Sequence, residues 1–298
     1  MTARRGDAAS GLALYSRAAQ KSSAGIIREY STSFGMASRL LGRRIRPHIE
    51  NIYGLVRIAD EIVDGAAAEA GADLRTQRAL LDALETETGL TVQTGYSTNL
   101  IVHSFASTAR TVGIGNELTG PFFASMRRDL DPADFTAEGV RDYIYGSAEV
   151  IGLMCLRVFL DGVPCDPARR ERLEEGARRL GSAFQKINFL RDLRADRDEL
   201  GRNYFPGIDP ERLTECEKWE LVADIDSDLA AAAAVIPELP RSCRTAVRAA
   251  HSLFGALTRR MRMMSAAELL RRRIRVPAAT KLRIVVRAAT GMRIRGVS

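Results

Sequence analysis

The chain has 298 residues, 46% of them apolar and 27% charged, a composition that supports a large buried core and excludes a disordered polypeptide. The formal charge is +7, but the excess is local: residues 259–298 hold twelve Lys or Arg against one acid, Glu268, while the preceding 258 residues carry a net −4. A generally basic nucleic-acid binder is therefore excluded, and the basic end has no aromatic residue on which a base would stack.

In chain order, residues 1–20 are expected to be loosely ordered, and Met1–Ser10 has charge without an apolar stretch behind it, so no secretory leader is read and a cytoplasmic location is expected. Pro47 and Gly65 bracket a helix over 47–64. Helical spacing of Ala, Leu, Arg and Glu predicts further helices over 73–87, 97–112 and 136–160, the last closed by Gly162 and Pro164. A long helix starts near Pro167, passes Asp196 and stops before Pro206. Helices over 210–235 and 240–264 follow, with a short one after Pro277. No run alternates in polarity as a strand does, and no repeat or linker divides the chain, so residues 1–298 read as one all-α domain. The longest apolar stretch, Val150–Leu160, contains Arg157 and falls short of the ~20 residues that span a bilayer. Cys155, Cys165, Cys216 and Cys243 lack CxxC spacing and are expected to be reduced, and three His argue against a His-based metal site.

Two helices carry acidic stripes. In the first, Tyr53, Arg57, Asp60 and Asp64 follow at steps of four, three and four and share a face. In the long helix, Gln185, Asn188, Asp192 and Asp196 do the same. A lone DxxxD is most often a solvated stripe; two facing stripes of oxygen ligands are the donor set of Mg²⁺, with substrate phosphates completing the octahedron. They predict a diphosphate substrate, stabilised as a leaving group by the metal and gripped by Arg57 or Arg191. Zinc would need His or Cys, a di-iron bundle would need Glu-x-x-His, and no glycine-rich phosphate loop is present.

These residues resemble the squalene/phytoene synthase family. The likeness runs through Tyr30-Ser31-Thr-Ser33-Phe34, Arg57-Ile-Ala-Asp60-Glu61-Ile-Val-Asp64, Tyr143-Ile-Tyr145-Gly-Ser-Ala148, Gln185 to Asp196, Gly201-Arg202-Asn-Tyr204-Phe205-Pro206, and Arg273 to Lys281. It implies an all-α isoprenoid-synthase fold with a central cavity for two prenyl diphosphates. It also implies Asp60, Asp64, Asn188, Asp192 and Asp196 as ligands of Mg²⁺, with Mn²⁺ as the substitute. Ser31, Ser33, Tyr53, Arg57, Gln185 and Arg191 would hold diphosphate or line the entrance, with Tyr30, Arg202, Tyr204, Arg273 and Lys281 in the same matched blocks. Phe34 would stand in the cavity wall, and Tyr143 beside the reacting carbons, its ring facing a carbocation and its hydroxyl assisting proton transfer.

In the implied chemistry an allylic cation alkylates the double bond of a second molecule to a cyclopropylcarbinyl diphosphate, which ionises again, rearranges and loses a proton. The blocks at Ala183–Asp192 and Tyr204-Phe-Pro look most like bacterial phytoene synthases, implying two geranylgeranyl diphosphates, no NADPH, and a product passed to downstream carotenoid enzymes. A farnesyl-using dehydrosqualene or squalene synthase is the alternative, and a non-catalytic helical assembly factor is the reading of another class. Three positions depart from the family. Glu61 stands for a second Asp, Glu149-Val150 replace a small pair, and Leu253, with Phe254 beside it, replaces a tyrosine; Glu149 is expected to face away from the cavity or to pair with an Arg. Arg127-Arg128-Asp129 reads as a solvated face, Met261, Met263 and Met264 as core filler, and Arg271, Arg272 and Arg275 as contacts to anionic lipid headgroups.

Overall fold

The computed structural model describes residues 10–31, 33–131, 135–200, 203–209, 211–272 and 274–290, with the side chains of 33, 34, 195–200 and 289 left aside. It is helical throughout, without a strand among these residues. In order the helices are α1 (Gly11–Tyr30), α2 (Ser33–Ser38), α3 (Arg46–Val63), α4 (Ala66–Glu69), α5 (Leu74–Thr94), α6 (Leu100–Val112) and α7 (Asn116–Asp129). Then come α8 (Ala137–Ile144), a π turn (Tyr145–Glu149), α9 (Val150–Leu160), α10 (Pro167–Leu200), α11 (Glu215–Val235), α12 (Arg241–Met263), α13 (Ala266–Arg271) and α14 (Ala278–Thr290).

Local chemistry sets most boundaries. Asp73, Asn99 and Thr136 cap the N-termini of α5, α6 and α8 through their side chains, and Thr214 with Glu217, and Ser265 with Glu268, form capping boxes at α11 and α13. Thr214 is why the helix expected from Pro210 starts at Glu215. Gly95 and Gly113, at φ +87° and +74°, end α5 and α6 in the left-handed conformation.

Three elements differ from the sequence reading. Much of the segment expected to be loose is α1, which buries Ala19, Ser23 and Ile27 against α3 and α6 and ties Ser23 Oγ to Ser104 Oγ at 2.7 Å. α7 has Pro121 inside it, which hid the helix. The helix over 136–160 carries a π turn at Tyr145–Glu149. The continuous path Ala137–Leu160 is long and apolar enough to cross a membrane by length and composition alone, and here it is packed between α7 and α10.

Close helix contact depends on glycine. A Cβ on Gly146 would lie 2.2 Å from the Pro121 carbonyl oxygen, one on Gly152 2.5 Å from that of Ala177, and one on Gly181 2.6 Å from that of Ala148. The π turn is thereby clamped between α7 and α10. One apolar core forms around α3, α6, α7 and α9, a second around α8 and α10 to α12, and a small cluster of Ala37, Ala249, Ala250 and Ala288 joins them. No disulfide links the four cysteines, and burial pushes the Cys155 thiol up to about 12.

Candidate active site

An elongated cavity of about 360 Å³ lies where the cores meet, within the range of small-molecule sites. Along α10 its wall is Leu173, Gly176, Ala177, Leu180, Gly181, Phe184 and Asn188, a stripe at steps of three and four. α12 faces it with Ala246, Ala250 and Phe254, and Phe254 stacks on Phe184 at 3.7 Å. The lining is apolar almost throughout; Tyr53 and Asn188 are polar and belong to the acidic stripes. Ser147 Oγ, on the π turn, is buried in this wall without a hydrogen-bond partner.

At the Tyr53 side the end of α3 gathers charge. Asp60 and Glu61 lie in its last turn and Asp64 is its C-cap, where the helix dipole is negative and carboxylates need a cation. Arg57 supplies one, 2.8 Å from Asp60 and bonded to Glu61. Its guanidinium lies 4.3 Å over the Tyr30 ring, and its Nε is buried with no acceptor, a donor left for an anion. Partial burial raises Glu61, but the Ala66 N–H and Arg57 outweigh it and hold its carboxyl below the ordinary value. Glu61 thus caps α4 and orients Arg57. Burial pushes the Tyr53 phenol up, against Arg57 and a hydrogen bond with Ser31, whose Oγ also accepts from the Gly35 N–H at 3.3 Å.

On α10, Asp192 is 14% exposed and accepts from Arg191 Nε at 3.1 Å. Lys186, one position from Gln185, is turned the other way, to Asp224 and Asp228 of α11 at 2.6 and 2.8 Å. Asp228 is fully buried and also accepts from Arg179 and Ser182, which fixes α10 on α11. Asn188 and Asp192 therefore stand on a helix locked on its far side.

Tyr143 and Tyr204 sit apart from the apolar wall. Both are buried in a cluster with Phe135 and Phe189, Tyr204 stacking on Phe189 at 3.9 Å. The Tyr143 hydroxyl donates to Asp129 Oδ2 at 2.9 Å, and the Tyr204 hydroxyl is 3.5 Å from Oδ1. Burial, then the Asp129 charge and Tyr204, push the Tyr143 phenol well above its ordinary value, with Asp64 near enough to contribute. The phenol is therefore a fixed hydrogen-bond donor to Asp129.

The structure brings together Tyr30, Ser31, Tyr53, Arg57 and Asp60 at one group and Asn188, Arg191 and Asp192 at another, with Asn188 and Tyr53 both on the cavity. Gln185 is half-buried on α10, and Lys281 stands half-buried in the first turn of α14. Arg202 and Arg273 lie outside the described residues, as do the side chains of Ser33, Phe34 and Asp196.

Asp129 was missed. Read as part of a solvated face, it is 6% exposed, while Arg127 bridges to Asp82 and Glu85 of α5 and Arg128 covers the Phe135 ring. No local signal separates it from a surface acid, since its partners are 14 and 75 residues away. Glu149 pairs with Arg178 at 3.0 Å, as expected. Leu253 is buried, and the aromatic face at that level is Phe254. Of the methionines read as core, Met261 is fully buried but Met263 is 85% exposed.

The squalene/phytoene synthase family model matches residues 27–280. The chain belongs to the squalene/phytoene synthase family. Its members condense prenyl diphosphates head to head, and the chain is a prenyltransferase of that family with its all-α fold. It is 27% identical over 272 residues to a 15-cis-phytoene synthase of Paracoccus sp. (strain N81106 / MBIC 01143), covering 86% of each chain. It is 29% identical over 181 residues to a 4,4'-diapophytoene synthase of Staphylococcus haemolyticus (strain JCSC1435), covering 60% of this chain and 59% of that one. Among solved structures it is similar to a dehydrosqualene synthase bound to a ligand, at a TM-score of 0.76 and 18% identity over 94% of this chain and 98% of the other. A squalene synthase from Alicyclobacillus acidocaldarius matches at a TM-score of 0.66 and 20% identity, over 84% and 95%.

Asp60, Asp64, Asn188 and Asp192 offer only oxygen donors, the chemistry suited to a hard divalent cation. Among the described residues no three His, Cys, Asp or Glu already converge on one point, and the Asp60 and Asp192 carboxylates are neutralised by Arg57 and Arg191.

Proposed function

We propose that the protein is a phytoene synthase, joining two geranylgeranyl diphosphates through a cyclopropylcarbinyl diphosphate to phytoene, with loss of two diphosphates and two protons and without NADPH. The observation that carries the C20 reading is the apolar stripe on α10. From Asn188 to Leu173 it spans fifteen residues, about 22 Å at 1.5 Å per residue. An extended carbon chain advances about 1.15 Å per bond, so a geranylgeranyl chain needs about 18 Å and a farnesyl chain about 14 Å. The cavity has length for the longer tail. The Paracoccus relative, which covers most of this chain, supports the same choice.

Asp60, Asp64, Asn188 and Asp192, with Asp196 one turn beyond, are the residues that would hold Mg²⁺, or Mn²⁺ in its place. Bound there, the metal supplies the charge that makes diphosphate a stable leaving group. Arg57, through its unpaired Nε, and Arg191 are the groups that hold diphosphate oxygens. The apolar wall, which includes the stacked pair Phe184 and Phe254, excludes water from a cationic intermediate. Tyr143 and Asp129 tie α8 to the end of α7, apart from the apolar wall. Phytoene does not dissolve in water, so a cytoplasmic enzyme must meet a membrane to deliver it to downstream carotenoid enzymes.

The test is incubation of purified protein with geranylgeranyl or farnesyl diphosphate and Mg²⁺, followed by analysis of the hydrocarbon extract. A C40 product, abolished by EDTA and lowered roughly 10³-fold in Asp60→Ala and Asp192→Ala, is expected. A C30 product from farnesyl diphosphate with no C40 product would instead establish the dehydrosqualene reading, which the Staphylococcus relative favours.

A further inference from the structure

The basic end of the chain is not used by this chemistry. Arg262 is held by Asp226, but Arg259, Arg260 and Arg283 have no carboxylate within ion-pair distance among the described residues. These three converge. With Thr280 they line an open cavity of about 430 Å³ between the end of α12 and the start of α14, whose other walls are Ala256, Met263, Met264, Val276 and Pro277. Among the described residues no acidic side chain lines it. Three guanidiniums facing one hollow repel one another unless an anion enters, and their planar donors match phosphate oxygens.

Exposed apolar residues accompany the hollow: Met263 lines it, and Leu282 and Val286 lie on α14, the helix that carries Arg283. Met263 is 85% exposed, Leu282 59% and Val286 48%. Leu282 and Val286 are one turn apart on the outer face of α14, next to Arg283 and Arg287, while Ile284 and Ala288 face inward. Scattered exposed apolar residues need no explanation, but apolar residues interleaved with arginines on one face of a helix have the chemistry of an interfacial helix.

The position agrees. α10 and α12 run side by side in the same direction: Arg172 meets Glu238 just before α12, and Phe184 meets Phe254 midway. One to two turns further along each lie Asn188 and Asp192 on α10 and Arg259 and Met263 on α12. The basic hollow is thus at the same end of the bundle as Asn188 and Asp192.

We propose that this hollow and the outer face of α14 seat the protein on an anionic lipid surface, with a headgroup phosphate between Arg259, Arg260 and Arg283 and with Met263, Leu282 and Val286 entering the acyl boundary. Free phosphate or diphosphate has the same charge chemistry but gains nothing from the exposed apolar residues, so the lipid is the occupant. The structure places the site next to Arg271, Arg272 and Arg275, which are exposed and add to the surface attraction rather than forming the hollow.

The test is co-sedimentation of the full chain, without substrate, with vesicles of phosphatidylcholine alone and of phosphatidylcholine with about a third phosphatidylglycerol. The result is therefore independent of which prenyl diphosphate the enzyme takes. Binding to the anionic vesicles alone is expected, with a loss of the order of a hundred-fold in partition coefficient in the triple variant Arg259→Gln, Arg260→Gln, Arg283→Gln. Met263→Ser with Leu282→Ser should weaken binding while leaving all charges in place, and unchanged circular dichroism would show both variants folded. Equal binding to both vesicle types, full binding by the triple variant, or complete release by millimolar inorganic diphosphate would overturn the proposal, the last by making the hollow a free-phosphate site. Should a variant fail to fold, protection of Met263 from oxidation by anionic but not neutral vesicles, read on the unaltered protein, supports the seat; equal oxidation with both refutes it.

Discussion

The Tyr143 hydroxyl and the Asp129 carboxylate, 2.9 Å apart and both buried, join the segment before the π turn to the last residue of α7. The charge of Asp129 is compensated by hydrogen bonds from two tyrosines, and the tyrosines are held in place by the same acid. Hydrogen bonds to a buried charge are worth more than neutral ones, and leaving the charge short of a donor costs the desolvation of the group.

Tyr143→Phe is therefore expected to destabilise the fold by about 1.5–3 kcal/mol although it removes one oxygen atom. Asp129→Asn should cost a similar amount, and the double variant less than their sum. Urea unfolding of the four proteins in a double-mutant cycle measures the coupling. Additive effects would show that the two groups do not depend on each other.

Gly181→Ala forces a methyl group against the Ala148 carbonyl, and Gly152→Ala does so against that of Ala177. The neighbouring atoms are backbone and cannot rotate away, so α10 must separate from the π turn or from α9. A loss of about 1–3 kcal/mol is expected for each. Gly89→Ala, on the open face of α5 with nothing within 4 Å, should be neutral or stabilising by up to about 1 kcal/mol. Thermal melts of the three variants separate packing from backbone propensity.

Ala246 lines the cavity two turns before Phe254 on α12, toward the end marked by Leu173 and Leu239. Ala246→Phe fills that end. Turnover of geranylgeranyl diphosphate is expected to fall at least tenfold and that of farnesyl diphosphate by much less, an order of effect set by a few lost apolar contacts. Competition between the two substrates, scored as the C40 to C30 product ratio, reads the change. An unchanged ratio would remove the cavity's deep end from substrate selection.

All three histidines titrate below their ordinary value, each chiefly because burial disfavours the imidazolium: His48, His103 and His251. The His251 Nε2–H donates to the Leu229 carbonyl at 2.9 Å, a bond the neutral ring can make. The unfolded chain therefore binds more protons than the folded one in mildly acidic solution. Their contribution to stability is present above the unfolded value near 6.5 and is lost as pH falls through the lower folded values. The melting temperature should be flat from pH 8 to about 7 and decline below about 6.5, with a shallower decline in His251→Gln. A melting temperature that rises on acidification over this interval would contradict the burial of neutral imidazoles.

Helices with strong local marks were legible along the chain. Pro47 opens α3, and the spacing of Tyr53, Arg57 and Asp60, and of Gln185, Asn188 and Asp192, marked the helix faces from which Tyr53 and Asn188 line the cavity. α7 was hidden because Pro121 mimics a break, and α1 because its polar composition gives little sign of the three small contacts that bury it. The π turn has no periodicity of its own, and Gly146, Gly152 and Gly181 show their function only once the opposing carbonyls are in place.

What the sequence by itself determined was the all-α class, the two stripes of oxygen-bearing side chains and the separation of an acidic body from a basic end, because each depends on residue type and on spacing along the chain. The tertiary structure alone decided that Asp129 is a buried acceptor for two tyrosines, that α10 and α12 line one apolar cavity, and that Arg259, Arg260 and Arg283 line one hollow. Each of those facts depends on groups from different helices, and the burial that gives them their energies does not exist until the helices pack.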